Sequence, residues 1–424
     1  MSTRNPKREF ALEVVERLRA RGFEALFAGG CVRDQLLGVE SKDYDVATNA
    51  RPDEIREVFG RRKTLAIGAA FGVIAVVGPK PAGTVEVTTF RRDAEYSDGR
   101  HPDAVSFSTA EEDAQRRDFT INGLFFDPLA QRVIDYVGGV EDLGRHVVRA
   151  IGDPRARFRE DKLRLLRAVR MAARFRFELD RDTFAAAREM AAQVTMVSAE
   201  RIAQEMRAML VLPERARAVE LLAETGLLEA ILPEALAMQG MPREGATLAA
   251  GDRWHFTLRV LAELASPTFS LALAALVEDL PGSPELIEQL GERWRLSNKE
   301  TERARWLAEH HRALDAARQL KWSKLQRILI CEGIDELLEL HAARARADGR
   351  DASDLEYCRE KLRLPGEELD PRPLVTGYDL IQHGVPQGPQ YAALLEQVRD
   401  AQLDGEVATK EEALKLVDRL VAGA

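Results

Sequence analysis

The sequence feature that most limits the fold is a change of hydrophobic rhythm near residue 154. Before it, short β-branched apolar runs such as "FGVIAVVG" (71–78) and "GTVEVTTFRR" (83–92) alternate with helix-like stretches. After it, strand-like runs nearly vanish, and amphipathic runs rich in Ala, Leu, Arg and Glu continue to the C-terminus. The fold class that follows is α+β, a mixed α/β head with a small mixed β-sheet and helices, followed by an elongated all-helical remainder. Within the head, residues 9–22 read as a helix stopped by Gly22. "EALFAGG" (24–30) reads as a strand running into a glycine turn, "VRDQLLG" as a short helix and "DYDVAT" (43–48) as the next strand. "PDEIREVFG" (52–60) carries proline at its start and glycine at its end, a helix signature. "FTINGLFFD" (119–127) and "RVIDYVGG" (132–139) complete the α/β unit, and "DAEYSDGRHPD" (93–103) is expected to be an exposed, mobile loop. No internal repeat or low-complexity tract interrupts the chain.

The chain's 424 residues allow two to four domains, and 45% hydrophobic with 31% charged residues suits a soluble globular protein. No apolar run is long enough to span a membrane, and the charged N-terminus lacks the apolar stretch of a signal peptide. Cys31, Cys331 and Cys358 form neither a zinc pattern nor a disulfide framework, so a reducing cytoplasm is expected. The net charge of −9 argues against bulk attraction to nucleic acid, yet "IGDPRARFREDKLRLLRAVR" (151–170) holds seven basic residues against three acidic ones. Charge alone does not distinguish a binding surface there from a solvated helix face.

Asp43 and Asp45 flank one tyrosine. On a strand, residues two apart share a face, so the two carboxylates are expected to project together. Side by side they repel, unless cations lie between them, and Mg²⁺ suits a few carboxylates combined with phosphate oxygens. Glu86 is the one acid inside "TVEVTTF", and alternation places it on a face with Thr88 and Phe90. Alone, an Asp-x-Asp equally describes acids capping a turn. The preceding "GGCVRD" adds a glycine pair that lets backbone N–H groups approach an anion, and Arg33 adds a charged fork. Together these features suggest triphosphate–Mg²⁺ chemistry.

The ordered motifs "GGCVRDQLLG…KDYDVAT", "RRDFTINGL" (116–124), "DYVGGVEDL" (135–143) and "EDKLRLLRAVR" (160–170) resemble those of the superfamily of class II tRNA nucleotidyltransferases and bacterial poly(A) polymerases. The resemblance implies a nucleotidyltransferase head (1–148) and a helical neck that recognises the nucleotide base (149–215). It further implies a helical body (216–340) and a helical tail that contacts tRNA (341–424). It implies that Asp43 and Asp45 hold two Mg²⁺ ions, with Glu86 as a third carboxylate, and that Gly30 and Arg33 meet the triphosphate. Arg117 and Asp118 would recognise the ribose, Asp161 and Arg164 the base edge, and Arg167 and Arg170 phosphate or ribose. Cytosine and adenine both present an amino donor beside a ring acceptor, so a carboxylate that accepts and a guanidinium that donates match both. Uracil and guanine present the reverse order and would leave both groups mispaired. "EDKLR" reads as part of one helix, so Asp161 and Arg164, three apart, are expected to be neighbours on its face.

The implied partners are the tRNA 3′ end, ATP and CTP, with neither membrane nor DNA. The implied reaction is template-independent addition or repair of the 3′-terminal CCA. An A-only adding enzyme working with a separate CC-adding partner, a bacterial poly(A) polymerase and a catalytically silent RNA-binding protein stand as alternatives. "DGRHP" within the 93–103 loop resembles the form found in enzymes able to add the terminal A. "WHFTLRVLAELASPTFSLALAALVEDLPG" (254–282) resembles an HD phosphohydrolase-like region in which Glu278 takes the histidine place and only Asp279 of the dyad remains. A structural helical domain is therefore expected there, with His255 a remnant or a capping residue, and the adjacent His310 and His311 are not read as ligands.

Overall fold

The computed structural model describes residues 5–68, 72–93, 105–243 and 252–422. Most of the 93–103 loop, and residues 69–71 of "IGAAFGVIAVV", lie outside these. The chain divides into two compact units, Met1–Leu236 and Ala237–Ala424.

The first unit opens with α1 (Pro6–Ala20), whose N-cap Asn5 accepts from the amides of Lys7 and Arg8 ahead of a proline in the first turn. Then come β1 (Ala25–Ala28), α2 (Gly30–Leu36), β2 (Asp45–Thr48), α3 (Pro52–Phe59), β3 (Thr64–Gly68), β4 (Val73–Val77) and β5 (Thr84–Thr89). A short hairpin, β6 (Arg91–Asp93) with β7 (Val105–Phe107), precedes α4 (Ala110–Gln115), β8 (Leu124–Asp127) and β9 (Arg132–Asp135). Seven strands form one sheet in the order β3-β4-β5-β2-β1-β8-β9. Every pair is antiparallel except β2 with β5, so the sheet is mixed as expected.

That one parallel pair matters most for the site, because it sets Asp45 directly opposite Glu86. Opposed residues in neighbouring strands share a face, so the two carboxylates stand side by side. On one side of the sheet α1 packs against β1, β2 and β5, burying Phe10, Val14, Val15 and Leu18. On the other, Ala110 and Ala114 of α4 pack with Leu26, Ala28, Ala47, Phe90 and Phe125. Phe90 meets Phe125 edge-on, with ring centroids 5.9 Å apart. Ala28 and Ala47 sit in the middle of this layer, and their short side chains leave a hollow on the sheet where longer ones would fill it.

Five helices follow: α5 (Gly139–Arg145), α6 (Pro154–Glu160), α7 (Leu163–Phe175), α8 (Arg181–Met190) and α9 (Ala199–Leu210). The expected single helix through "EDKLR" is two helices. Asp161 is extended (φ −144°, ψ 107°), and its carboxylate accepts from the amide of Leu163, two residues on. Asp161 and Arg164 are therefore not neighbours on one helix face, because a side chain that bonds its own downstream backbone competes with the helix.

Among the described residues of the second unit, all regular secondary structure is helical. Helix Phe269–Val277 is buried at every position, as suits an element apolar all round. Immediately after it, Glu278 and Asp279 are buried and ion-paired to Arg344 of helix Ile334–Asp348, which is itself 1% exposed. Burial, opposed by Arg344 and reinforced by Asp279, pushes the Glu278 carboxyl up to about 7. An arginine thus occupies the surroundings of the degenerate dyad. Among the described residues no group of three or more His, Cys, Asp or Glu is arranged to hold a metal ion. His255 bonds the N-cap residue Asp252, His310 stacks on Trp306, and His311 bonds the Ala308 carbonyl. A separate apolar cluster that includes Leu380, Leu394, Val398 and Val417 organises the C-terminal helices. No helix among the described residues is long and apolar enough to cross a membrane.

Candidate active site

A cleft of about 460 Å³ opens over the hollow on the sheet. Its floor is Ala28, Asp45, Ala47, Glu86 and Thr88, its near wall Gly29, Gly30, Arg33 and residues 116–118 with Asn122, and its far wall Asp161, Arg164, Arg167 and Arg201. Sequence-expected Gly30, Arg33, Asp45, Glu86, Arg117, Asp118, Asp161, Arg164 and Arg167 are thus brought together from strands, turns and helices up to about residue 167. Asp43 and Arg170 are not among the lining residues.

Asp43 lies before β2 begins, on chain that is not part of the strand. Its side chain is 81% exposed, and Oδ1 pairs with Lys7 Nζ at 2.8 Å. The expected shared strand face therefore does not describe Asp43. It is still near enough to Asp45 to act on it. At Asp45, surrounding protein first, then the Glu86 carboxylate, raises the pKa to about 6; Arg117 opposes and Asp43 adds to the rise. Burial first, and the like charge beside it second, thus favour the neutral form of this carboxyl. Arg170 turns away to Glu205 of α9, with Nε 2.6 Å from the carboxylate, so its expected contact with the nucleotide is replaced by an internal ion pair.

The arginines of the near wall are anchored from behind. Asp113 of α4 is fully buried and pairs with Arg116 (Nη2 to Oδ1, 2.8 Å) and Arg117 (Nη2 to Oδ2, 3.0 Å). Burial would raise the Asp113 pKa, but the guanidinium groups of Arg117 and Arg116 outweigh it and hold the carboxyl below its ordinary value. Arg117 also stacks over Phe125, 5.0 Å from the ring centroid. Gly29 is needed here for two reasons. Its backbone (φ 68°, ψ −122°) disfavours any side chain, and a Cβ there would lie 2.7 Å from Arg117 Nη1.

Arg33 is not a free phosphate fork. It is buried, with Nε and Nη2 bonded to Asp34 at 2.9 and 2.6 Å, Nη1 bonded to the Asn122 side-chain oxygen, and the Phe175 ring 4.4 Å away. Asp118 differs from its expected role in the same way. Its Oδ1 accepts from the Phe119 amide (2.8 Å) and Asn122 Nδ2 (3.0 Å), and its Oδ2 from Arg167 Nε (2.9 Å) and Nη2 (2.6 Å). A carboxylate offers about four lone pairs, so none remains for a ribose hydroxyl in this arrangement. Burial would raise the Asp118 pKa, but Arg167, the Asn122 amide and Arg164 hold it far below the usual carboxylate range. Asp118 is an ionised anchor for Arg167.

The far wall shows the same construction. Asp161 Oδ2 accepts from Arg201 Nη2 at 2.7 Å. Arg164 donates to Glu160 (2.5 Å) and to the carbonyls of Arg157 and Arg116 (3.1 Å each). Asp113, which pairs with Arg116 and Arg117, and Asn122 and Arg201, which line the cleft, are residues that the sequence alone did not single out. Asn122 stands inside the quoted "RRDFTING", so its position was visible and its partners were not. Arg201 lies forty residues from Asp161, with no spacing rule to join them.

The hard oxygen donors Asp45 and Glu86, adjacent and mutually repelling, have the chemistry that a divalent cation relieves. Beside them lie guanidinium groups whose charge is directed into a cleft by carboxylates behind. Such a site can receive a polyphosphate.

Comparison with known proteins finds relatives along nearly the whole chain. A family model described as "Poly A polymerase head domain" matches residues 25–149, and one described as "Probable RNA and SrmB- binding site of polymerase A" matches residues 176–238. A CCA-adding enzyme of Geobacillus stearothermophilus is 34% identical over 415 residues, 96% of each chain. A CCA-adding enzyme of Geobacillus sp. (strain WCH70) is 33% identical over 423 residues, 95% of each. The crystal structure of the Bacillus stearothermophilus CCA-adding enzyme in complex with CTP superposes with a TM-score of 0.75 at 30% identity, covering 99% of each chain. The Thermotoga maritima CCA-adding enzyme complexed with tRNA shares the fold, with a TM-score of 0.64 at 19% identity over 97% of this chain and 95% of that one.

Proposed function

This chain belongs to the CCA-adding enzymes, and from that premise we propose that its arginine-lined cleft is where CTP and ATP are joined to the 3′ end of tRNA. The enzyme is a template-independent tRNA nucleotidyltransferase, with tRNA, CTP and ATP as its partners. The observation that carries the assignment of the site is the union, in one cleft, of the Asp45–Glu86 pair with Arg117, Asp161, Arg164 and Arg167. In our reading the functional divisions are a catalytic head (1–148), a base-recognising neck (149–215), a structural body (216–340) and a tRNA-contacting tail (341–424), acting in the cytoplasm.

Asp45 and Glu86 would hold divalent metal, which we take to be two Mg²⁺ ions, with Asp43 joining them only by leaving its ion pair with Lys7. When bound, such ions make the attacking hydroxyl more acidic and neutralise charge on the leaving oxygens. The protein's own contribution is position and electrostatics. Arg117 and Arg167, held by Asp113 and Asp118, offer their remaining N–H groups to the triphosphate and ribose. Gly29 and Gly30 keep the cleft wall thin, so the backbone can approach the phosphates closely. Asp161 accepts from the base amino group, and Arg164 donates to the neighbouring ring nitrogen. The tRNA 3′-hydroxyl attacks the α-phosphate in line, and pyrophosphate leaves.

The test offers purified protein and Mg²⁺ three tRNA transcripts, ending at the discriminator base, at C and at CC, with CTP and ATP singly and together. Completion of CCA on all three is expected. Extension of the CC-ended transcript alone would mean A-only addition, and long A tails on unstructured RNA would mean poly(A) polymerase. Asp45→Ala should abolish incorporation of both nucleotides, and retained activity would sink the metal assignment. Asp161→Ala should relax the preference for CTP and ATP over UTP and GTP more than it weakens triphosphate binding.

A further inference from the structure

Asn122 sits at the end of a single helical turn (Thr120–Asn122), is 9% exposed and lines the cleft. One residue here touches three cleft residues. Its Nδ2 donates to Asp118 Oδ1 at 3.0 Å, and its Oδ1 accepts from Arg33 Nη1. Its backbone carbonyl accepts from Arg117 Nη1 at 3.2 Å. The side chain therefore faces a buried carboxylate with its nitrogen and a buried guanidinium with its oxygen.

That pair of neighbours sets a demand that few side chains meet. The group must donate on one side and accept on the other within a single planar head. Turning the amide over would set its oxygen against the Asp118 carboxylate and its nitrogen against the Arg33 guanidinium, so the charges of the partners fix its orientation. An aspartate keeps the acceptor toward Arg33 but sets a carboxylate against a carboxylate at Asp118. An alanine removes both bonds and leaves one Asp118 position and one Arg33 N–H unsatisfied.

The consequence reaches the nucleotide through Asp118. That carboxylate is fixed at Oδ1 by the Phe119 amide and Asn122, and at Oδ2 by Arg167. Remove the Asn122 bond and the carboxylate can swing about its own side-chain torsion, carrying the Arg167 guanidinium with it. We propose that Asn122 is a positioning residue for nucleotide binding: its amide locks Asp118, and through Asp118 aims Arg167 into the cleft.

This inference rests on the cleft being the nucleotide site. The experiment uses the full chain with Mg²⁺ and a CC-ended tRNA transcript, measuring kcat and KM for ATP, and a C-ended transcript with CTP for the same constants. Asn122→Asp and Asn122→Ala are compared with the unaltered protein, and thermal melting is recorded for each. A side chain needed only for folding would reduce the active fraction, which lowers apparent kcat and leaves KM unchanged. Positioning predicts the opposite split: KM for both nucleotides rises on the order of tenfold, as for one lost hydrogen bond to a charged group, while kcat changes little. The effect should be larger in Asn122→Asp than in Asn122→Ala, because the aspartate also repels Asp118. Unchanged KM in either folded variant overturns the inference, as does a loss confined to kcat. Failure of both variants to fold overturns it too, since the amide would then be a structural requirement of the head. If the unaltered protein extends neither transcript, the functional reading fails instead, so the two failures are distinct.

Discussion

At the scale of single residues, the site is defined by what stands behind each cation. Gly29→Ala puts a Cβ against Arg117 Nη1 and strains a backbone at φ 68°. Strain of that kind costs about 1–3 kcal/mol. Thermal melting should show the loss, and KM for both nucleotides should rise as Arg117 is displaced; a variant with unchanged KM would show that Arg117 has no part in binding. Asp113→Asn weakens two ion pairs at once at a buried position. Losing a buried partner costs about 3 kcal/mol, measurable by denaturant unfolding. The pH dependence has a definite sign. Because the folded pKa of Asp113 is lowered, its contribution is present above the ordinary carboxylate value and is lost as pH falls through the lowered one. The stability gap between the two proteins should therefore be flat from pH 5 to 8 and close only in stronger acid. A gap that closed near pH 6 would refute the pairing.

At the scale of elements, two local rules succeeded and one failed. Alternation along β5 put Glu86 on the face with Thr88 and Phe90, and that face does carry the cleft floor and the core beneath it. The strand in "EALFAGG" was legible because a short apolar run ending in glycine admits few other readings. What a sequence pattern cannot contain is the parallel pairing that sets Asp45 beside Glu86, since strand partners 41 residues apart leave no local trace. The break at Asp161 was hidden for a different reason. Every residue around it favours a helix, and a single side-chain-to-amide bond to Leu163 overrides them. Asp161 thereby stands at a junction of helices, steadied by Arg201 of α9. Arg201→Ala should lower discrimination against UTP and GTP by roughly tenfold, in the same sense as Asp161→Ala. The double variant should add little, because the two residues act as one unit. Misincorporation assays on a CC-ended transcript would show this, and additive effects would separate the two residues.

At the scale of the whole molecule, each unit keeps its own core and its own buried charges. In the second unit, Arg344→Met would leave Glu278 buried without its cation, while Asp279 keeps Arg243, at a cost of about 3–5 kcal/mol. The folded pKa of Glu278 is raised, so its neutral form is favoured, and stability is lost as pH climbs through about 7. Without Arg344 the loss deepens. Denaturant unfolding followed by helical circular dichroism should show a larger deficit at pH 8 than at pH 5, and a deficit independent of pH would contradict the arrangement. The overall charge of −9 and the cation-rich cleft, opposed at first sight, are reconciled by the same pattern of carboxylates behind guanidiniums. That pattern has a thermodynamic consequence. Arginine is among the costliest side chains to immobilise, and here Asp113, Asp118 and Glu160 hold Arg117, Arg167 and Arg164 before any ligand arrives. Their rotamer entropy is surrendered at folding, so little remains to be lost when a nucleotide enters. A catalyst that must take in two cytidylates and then an adenylate on one growing end meets each newcomer with these guanidinium groups already held.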